Sequence, residues 1–131
     1  MRLCFAALLL FATLPATAAN CPTTLPQDRL NDCWVKAADV ANARLDDLLR
    51  ELKPALGKRH WAHLKESQSY WEDSRSIDCK VEASLIEGPV REAVRYGCTE
   101  KRAIERMRQL RFLLCPQYNL DGRCEAARRY E

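Results

Sequence analysis

Apolar residues follow position 26 at steps of three and four, the spacing that places side chains on one face of an α-helix. The pattern predicts a helix that begins near Pro26 and runs to about Lys53, before Pro54 and Gly57 interrupt it. Its apolar line consists of Leu30, Trp34, Ala37, Ala41, Leu45, Leu48 and Leu52. The opposite face is predicted to stay in water and contains Asp28, Asp32, Asp39, Asp46 and Arg50.

Two more amphipathic helices follow. The second is predicted to run from about Lys58 to Ile86, where Gly88-Pro89 ends it, and the third to begin between Val90 and Thr99. Their inward sides are Trp61, Leu64, Trp71 and Ala83 in the second helix, and Ala103, Met107, Leu110 and Leu114 in the third. Because each apolar stripe needs a partner, the fold class is predicted to be all-α, a small antiparallel bundle of about three main helices.

Residues 1–18 have the features of a secretory signal peptide. Arg2 precedes the apolar run from Leu3 to Leu14, which is too short to span a bilayer, and Ala16-Thr17-Ala18 has the form of a signal-peptidase site. Cleavage is predicted after Ala18 or Ala19, which leaves residues 19–131 as a single helical domain in the periplasm or outside the cell. Lipoprotein anchoring through Cys21 is disfavoured because a bulky, polar residue precedes it.

The cysteines indicate an oxidising compartment. Of the seven cysteines, Cys4 leaves with the signal, and an even number of six remains in a small exported chain. Six cysteines allow fifteen pairings, and the hypothesis preferred here joins neighbours in sequence order, each bridge contributing about 3 kcal/mol in the chain-entropy model. A metal site is disfavoured because there is no CxxC pair. The hypothesised bridges are Cys21 to Cys33, Cys79 to Cys98, and Cys115 to Cys124.

Charge does not indicate a nucleic-acid binder. Without Arg2 the chain has 20 basic and 18 acidic residues, a net charge of +2. Basic residues nevertheless crowd near the C-terminus, which predicts either a solvated helix surface or a face that attracts an acidic partner or an anionic envelope. The segment between Cys115 and Cys124 is rich in turn-forming residues and is predicted to be a stapled terminal loop.

One helical face mixes unlike side chains: Gln68, Trp71, Arg75 and Cys79 follow one another at steps of three, four and four. A catalytic cluster, a ligand site and a buried structural network are the three interpretations. Catalysis has little support because arginine and glutamine do not act as bases near neutral pH and a paired cysteine is not a nucleophile. A structural network is favoured, with backbone carbonyls at helix ends or carboxylates such as Glu105 as partners of the polar groups.

Other candidate chemistry is sparse. His60 and His63 lie one helical turn apart, but two imidazoles are too few to predict a metal site, so a surface pair is preferred. The adjacent carboxylates Glu72 and Asp73 point in different directions on a helix, unlike the facing acids of a glycosidase. No phosphate-binding loop or nucleophile motif occurs. The sequence therefore predicts a protein that is not an enzyme and has no cofactor.

Taken together, these motifs resemble the LprI-type lysozyme-inhibitor domain family of exported bacterial proteins, over about Cys21 to Leu114. The resemblance is carried by the QDRLNDC segment, the alanine-rich ADVANARLDDLL stretch and the Gln-x-x-Trp-x-x-x-Arg-x-x-x-Cys signature from Gln68 to Cys79. Later positions that fit the family spacing are Gly88, Gly97, Cys98, Arg106 and Leu110. The chain departs from the family pattern at Asp46, Leu49, Ser76 and Ala103.

The resemblance implies an exported, non-enzymatic binding protein that inhibits a lysozyme by blocking its active-site cleft. Lysozymes of the animal type are generally basic, so acidic contacts are expected around the Gly88-Pro89 turn, namely at Glu82, Glu87 and Glu92. The alternative is a general cell-envelope module that binds an acidic partner through a basic C-terminal helix, with Arg106, Arg108 and Arg111 as contacts. Neither interpretation involves nucleic acid or a transmembrane segment after signal cleavage.

Overall fold

The computed structural model describes residues 19–115 and 124–131. These residues form α1 (Gln27–Ser84), α2 (Arg91–Leu110), the 3-10 turn η1 (Arg111–Leu114) and α3 (Glu125–Arg128), and they contain no strand. The predicted all-α class is therefore confirmed. The predicted signal at 1–18 and most of the predicted terminal loop lie outside the described residues. No helix in the described part of the chain is long and apolar enough to cross a membrane.

Helix α1 is folded into two arms at Gly57, whose φ of 68° and ψ of 170° are not helical. The first arm (residues 27–56) and the second arm (residues 58–84) lie antiparallel, since Arg75 Nη1 donates a hydrogen bond of 2.7 Å to Asn42 Oδ1. The predicted end of the first helix at Lys53 is three residues early, because Pro54 lies within the helix. Proline removes only one backbone donor near the helix end, whereas glycine alone readily adopts the conformation that reverses the chain.

The remaining boundaries differ little from the predicted ones. The second arm ends at Ser84 and not at Ile86, and α2 begins at Arg91, within the predicted interval. Helix α2 runs antiparallel to the second arm, as the Cys79–Cys98 disulfide and a hydrogen bond from Arg106 to Gln68 show. The first arm, the second arm and α2 together form the predicted antiparallel bundle of three helical segments.

The bundle has one main core and a smaller one beside the N-terminal residues. The main core is made by Ala41, Leu45, Leu48, Leu52, Leu64, Ala103, Ile104, Met107, Leu110 and Tyr130. Leu48 and Leu52 are fully buried, and each such leucine contributes about 1.5–3 kcal/mol by leaving water. The smaller core contains Cys21, Leu30 and Ala93, with Ala19 packed against it. Most of the main core lies on the predicted apolar faces, although Trp34, Ala37 and Leu114 are only half-buried. The apolar faces predicted from the sequence did not include Cys21, Ala93, Ile104 or Tyr130.

Three disulfides staple this bundle, with Cα–Cα distances of 5.9, 5.5 and 5.6 Å. Their pairing in the structure is the neighbour-to-neighbour pairing put forward from the sequence. Cys21–Cys33 ties the N-terminal residues to the start of α1, and Cys79–Cys98 ties the second arm to α2. Cys115–Cys124 joins the end of η1 to the start of α3.

The C-terminal residues dock on the first arm. The Tyr130 hydroxyl donates a hydrogen bond of 2.9 Å to Glu51 Oε1, and Arg129 Nη2 lies 2.7 Å from Glu51 Oε2. Arg44 Nη2 in turn donates to the Arg129 carbonyl at 3.2 Å. Burial, together with the hydrogen bond to Glu51, raises the pKa of Tyr130 to about 12.

This raised pKa predicts a pH-dependent loss of stability. Tyr130 keeps its proton in the folded chain up to pH of about 12, whereas the unfolded chain releases it near 10.0. The unfolded state therefore binds fewer protons between these values, and the free energy of unfolding falls as pH rises. Urea unfolding at pH ~9 and ~11 measures the fall. The fall in the free energy of unfolding is expected to be smaller in Tyr130→Phe. An equal fall in that variant would show that Tyr130 is not its cause.

The turn at Gly57 predicts the cost of a single methyl group. No atom lies within 4 Å of a Cβ added at this position, so Gly57→Ala is penalised only by its backbone conformation. We expect a loss of about 1–3 kcal/mol in the free energy of unfolding, measured with urea. Gly97→Ala is the matched control, since Gly97 is helical and its added Cβ would touch the Trp34 ring at an ordinary 3.4 Å. An equal loss in both variants would contradict this reading of the turn.

Candidate functional site

The sequence signature from Gln68 to Cys79 forms a buried polar network between the second arm and α2. Gln68 is only 6% exposed. Its Nε2 donates to Glu72 Oε1 at 3.1 Å, and its Oε1 accepts from Arg106 Nε at 3.0 Å. Arg106 Nη2 also donates to Ser67 Oγ at 3.3 Å. The buried amide of Gln68 thus has a partner at each end, as a stable buried polar group requires.

Trp71 lies beneath two guanidinium groups in the same network. The Arg75 Cζ atom is 4.6 Å and the Arg106 Cζ atom 5.5 Å from the Trp71 ring centroid, both within cation–π range. Burial lowers the pKa of both arginines, and for Arg75 the charges of Glu72 and Asp46 oppose this effect. Both guanidinium groups remain charged near neutral pH because their usual pKa is so high.

The carboxylate in the network is Glu72 and not Glu105, the example that was predicted. Glu105 is exposed and lines the same cleft of about 210 Å³ as Arg75. The partners are Asn42 for Arg75 and Glu72 for Gln68. Glu72 is one helical turn from Gln68 and so faces it, whereas Glu105 is adjacent to Arg106 and points about 100° away from it.

The histidine pair lies on the surface. His60 and His63 are both exposed, and His60 Nδ1 is 3.2 Å from the Leu56 carbonyl oxygen. Within residues 19–115 and 124–131, no group of three or more His, Cys, Asp or Glu side chains is arranged to hold a metal ion.

The turn between α1 and α2 lies at one end of the bundle, and several hydrogen bonds hold its backbone. Gly88 adopts a φ of 80°, and Arg91 N donates to the Gly88 carbonyl at 3.3 Å. Arg91 Nε donates to the Ile86 carbonyl at 2.9 Å, and Asn31 Nδ2 in the first arm donates to the Pro89 carbonyl at 3.3 Å. The nearby Cys79–Cys98 disulfide holds the two helices that the turn connects. The turn is therefore preorganised.

The three carboxylates predicted near this turn differ in their surroundings. Glu82 Oε1 lies 3.3 Å from Arg102 Nη2, and Glu92 Oε2 lies 3.0 Å from Arg95 Nη2. Glu87 is exposed and forms no ion pair with any residue that the structure describes. Of these three carboxylates, only Glu87 therefore has no ion-pair partner among the described residues.

An exposed apolar stripe leads along the second arm into the turn, and sequence reasoning missed it. Ile77, Val81 and Leu85 are 60%, 55% and 78% exposed. They follow one another at steps of four and so share one helix face, opposite the buried face of Cys79. The signal was present in the sequence as an apolar repeat on the wet side of the predicted helix. Large exposed apolar side chains in a row are typical of binding surfaces.

The basic residues proposed as an alternative contact face are mostly engaged. Arg106 belongs to the polar network. Arg111 Nη1 lies 2.8 Å from Glu131 Oε1 and forms an ion pair with it, although the two groups are not aligned for a hydrogen bond. Arg108 is exposed. The described arginines of α2 and η1 therefore do not form a continuous free cationic face.

Comparison with known proteins gives one result. Residues 18–110 match the family model described as "Lysozyme inhibitor LprI", a span that contains all of α1 and α2, the polar network and the turn. No significant match to the chain was found among curated proteins or solved structures.

Proposed function

Because the chain belongs to the LprI family of lysozyme inhibitors, we propose that it is an exported protein that inhibits a lysozyme by occupying the active-site cleft. Its three disulfides fit the periplasm or the cell exterior. The Cys21–Cys33 bridge also uses the sulfur that a lipid anchor at Cys21 would need. The protein acts by binding and not by catalysis.

The inhibitory surface that we propose consists of Ile77, Val81, Leu85 and Glu87. The observation that carries this choice is the 78% exposure of Leu85 at the start of a turn whose backbone is held by several hydrogen bonds. A glycosidase binds its sugar in a cleft between two carboxylates, and we propose that the hydrogen-bonded turn at the end of the bundle enters that cleft. Because this backbone is preorganised, little conformational entropy is lost on binding.

The chemistry of this surface suits a basic partner with an apolar groove. Leu85 and Val81 supply apolar area at the centre, and Glu87 supplies an unbalanced negative charge beside it. Glu82 and Glu92 lie at the edge, where their pairing with arginines limits their contribution to affinity. Complementary charge of this kind mainly speeds association and is screened by salt.

The alternative function, binding of an acidic envelope partner through Arg106, Arg108 and Arg111, has weaker support. Two of these three side chains are held in contacts within the bundle. Charge reversal at Arg108 tests it without disturbing those contacts. A loss of binding in Arg108→Glu with unchanged inhibition by the turn variants would favour this alternative.

The proposal is tested by titrating a lysozyme with oxidised protein of residues 19–131 while following lysis of cell walls. Saturable, stoichiometric inhibition without cleavage of the added protein is expected, and it should disappear when the disulfides are reduced. Peptide mapping without reductant confirms that the sample is correctly bridged. A folded, bridged sample that leaves several lysozyme types fully active would remove lysozyme as the partner.

The turn variants give the residue-level prediction. Leu85→Ala and Glu87→Lys are each expected to weaken inhibition about tenfold, the first because it removes the apolar side chain at the centre of the surface and the second because it sets a positive charge against a basic partner. Inhibition constants from the lysis assay measure the change. Val40→Ala is the matched control, since Val40 is an aliphatic side chain that is 62% exposed on the first arm, outside the proposed surface. Equal weakening by the control would place the inhibitory surface elsewhere.

A further inference from the structure

A buried carboxylate on α2 faces the first residues of the described chain. Glu100 is only 4% exposed. Its Oε1 accepts a hydrogen bond of 2.8 Å from the backbone nitrogen of Ala19. Removing a carboxylate from water is costly unless a cation or several donors replace the water. A single neutral amide meets this need only in part.

Nearby cations do not complete the site in the described chain. Lys36 and Arg44 line the same cavity of about 230 Å³ as Ala19 and Glu100. Neither forms an ion pair with Glu100 among residues 19–115 and 124–131. The rest of the cavity wall is mainly apolar, with Ala37, Val40 and Ile104 contributing to it. Among the described residues, the hydrogen-bond donor that contacts the Glu100 carboxylate is therefore the backbone nitrogen of Ala19.

We infer that the signal is cut between Ala18 and Ala19 and that the new α-ammonium group of Ala19 forms a buried ion pair with Glu100. A signal peptidase adds water across the peptide bond, so the Ala18 carbonyl carbon becomes a carboxylate and the Ala19 nitrogen becomes an amine. That amine takes up a proton near neutral pH. The nitrogen that donates to Glu100 as an amide thus becomes a charged donor at the same position.

The neighbouring bond is a poorer site for the same pairing. A cut after Ala19 would make Asn20 the first residue and move the terminal nitrogen one residue along the chain, where adjacent Cα atoms are about 3.8 Å apart. Asn20 is exposed, whereas Ala19 is half-buried and packs against the smaller core. Because Cys21 is fixed by its disulfide to Cys33, the chain has little freedom to carry the nitrogen of Asn20 to Glu100.

This pairing links signal removal to the stability of the domain. In the precursor Glu100 has a neutral partner, and in the mature chain it has a cationic one, so the smaller core becomes more stable only after cleavage. A charge-assisted hydrogen bond is about twice as strong as a neutral one. The inference concerns folding and processing and does not depend on the inhibitor proposal.

The first experiment determines where the exported protein begins. The full chain of 131 residues is expressed in a bacterium that exports it, and the intact mass of the oxidised product is measured. A product that begins at Ala19 is expected. A product that begins at Asn20 or Cys21 would overturn the inference, because its terminal amine would no longer be the nitrogen that Glu100 contacts.

The second experiment measures the coupling between the terminus and Glu100. Four proteins are compared by urea unfolding: chains that begin at Ala19 or at Ala18, each with Glu100 or with Glu100→Gln. In the chains with Glu100, the extra residue at the N-terminus is expected to lower the folding equilibrium constant about tenfold. In the chains with Glu100→Gln, it is expected to lower this constant less than about twofold. Glu105→Gln, an exposed change on the same helix, is the matched control and should leave the effect of the extension unchanged.

If the extra residue lowers the folding equilibrium constant equally with Glu100 and with Glu100→Gln, the inferred ion pair is wrong. If Glu100→Gln does not fold, acetylation of the Ala19 amine in the natural chain replaces that comparison. Acetylation keeps the N–H donor and removes only the charge, so it is expected to lower the folding equilibrium constant about tenfold. Unchanged stability after acetylation would equally overturn the inference.

Discussion

Replacing Cys79 and Cys98 together with alanine is expected to lower the free energy of unfolding by about 3 kcal/mol and to weaken lysozyme inhibition. The two cysteines are separated by 19 positions, and a bridge over such a loop stabilises chiefly by restricting the unfolded chain. Alanine is preferred to serine because both sulfurs are buried and a hydroxyl there would need a partner. Urea unfolding followed by circular dichroism measures the first effect, and the lysis assay measures the second.

The matched control is the alanine replacement of Cys115 and Cys124. This bridge closes a loop with a separation of 9 and should cost a similar free energy of unfolding. It joins η1 to α3, whereas Cys79–Cys98 joins the two helices that enter the turn, so only the latter should affect inhibition strongly. Equal loss of inhibition in both variants, when both remain folded, would contradict the proposed role of the turn.

Local sequence signals were sufficient for the three main helical segments of this fold. The leucines at 45, 48 and 52 repeat at helical spacing, so their shared face and its burial follow from periodicity alone. The precise position of the chain reversal did not follow, because Pro54 and Gly57 are both helix breakers and the sequence does not show which one the tertiary fold uses. The near-neighbour pairing of the cysteines agrees with the structure because the bundle is short and its helices are joined in sequence order.

Partners of the polar groups could not be predicted in the same way. Arg75 bonds to Asn42 across 33 positions, and Arg106 bonds to Gln68 across 38. Residues so far apart in sequence meet only because of the detailed packing of the helices, which hydrophobic periodicity does not predict. Glu100 was overlooked, although it lies three residues before Ala103 and seven before Met107 and so shares the predicted inward face of the third helix.

Three of the four departures from the family pattern lie away from the proposed inhibitory surface, whereas Ser76 is the sequence neighbour of Ile77 within it. Asp46 and Ser76 are exposed, and Leu49 packs against the main core. Ala103 is fully buried, where a polar side chain would need a hydrogen-bond partner and alanine needs none.

Removing the indole of Trp71 is the second change with a large expected effect. Trp71→Ala should lower the free energy of unfolding by about 3 kcal/mol, since the ring packs on the main core and supports two guanidinium groups. The half-buried position of Trp71 places the loss at the lower end for a tryptophan truncation. Circular dichroism is the suitable probe, because the change removes one of the three tryptophans that would report by fluorescence.

Two further variants separate the ring from its apolar bulk. Trp71→Phe keeps an aromatic face for Arg75 and Arg106, whereas Trp71→Leu keeps only apolar volume. If the guanidinium contacts contribute, phenylalanine should be more stable than leucine by about 1 kcal/mol, and the difference should shrink when Arg75 is also replaced by methionine. Equal stability of the two variants would reduce Trp71 to a packing residue. A clear difference would mean that the Trp71 ring stabilises the bundle through its contacts with the Arg75 and Arg106 guanidinium groups as well as through packing.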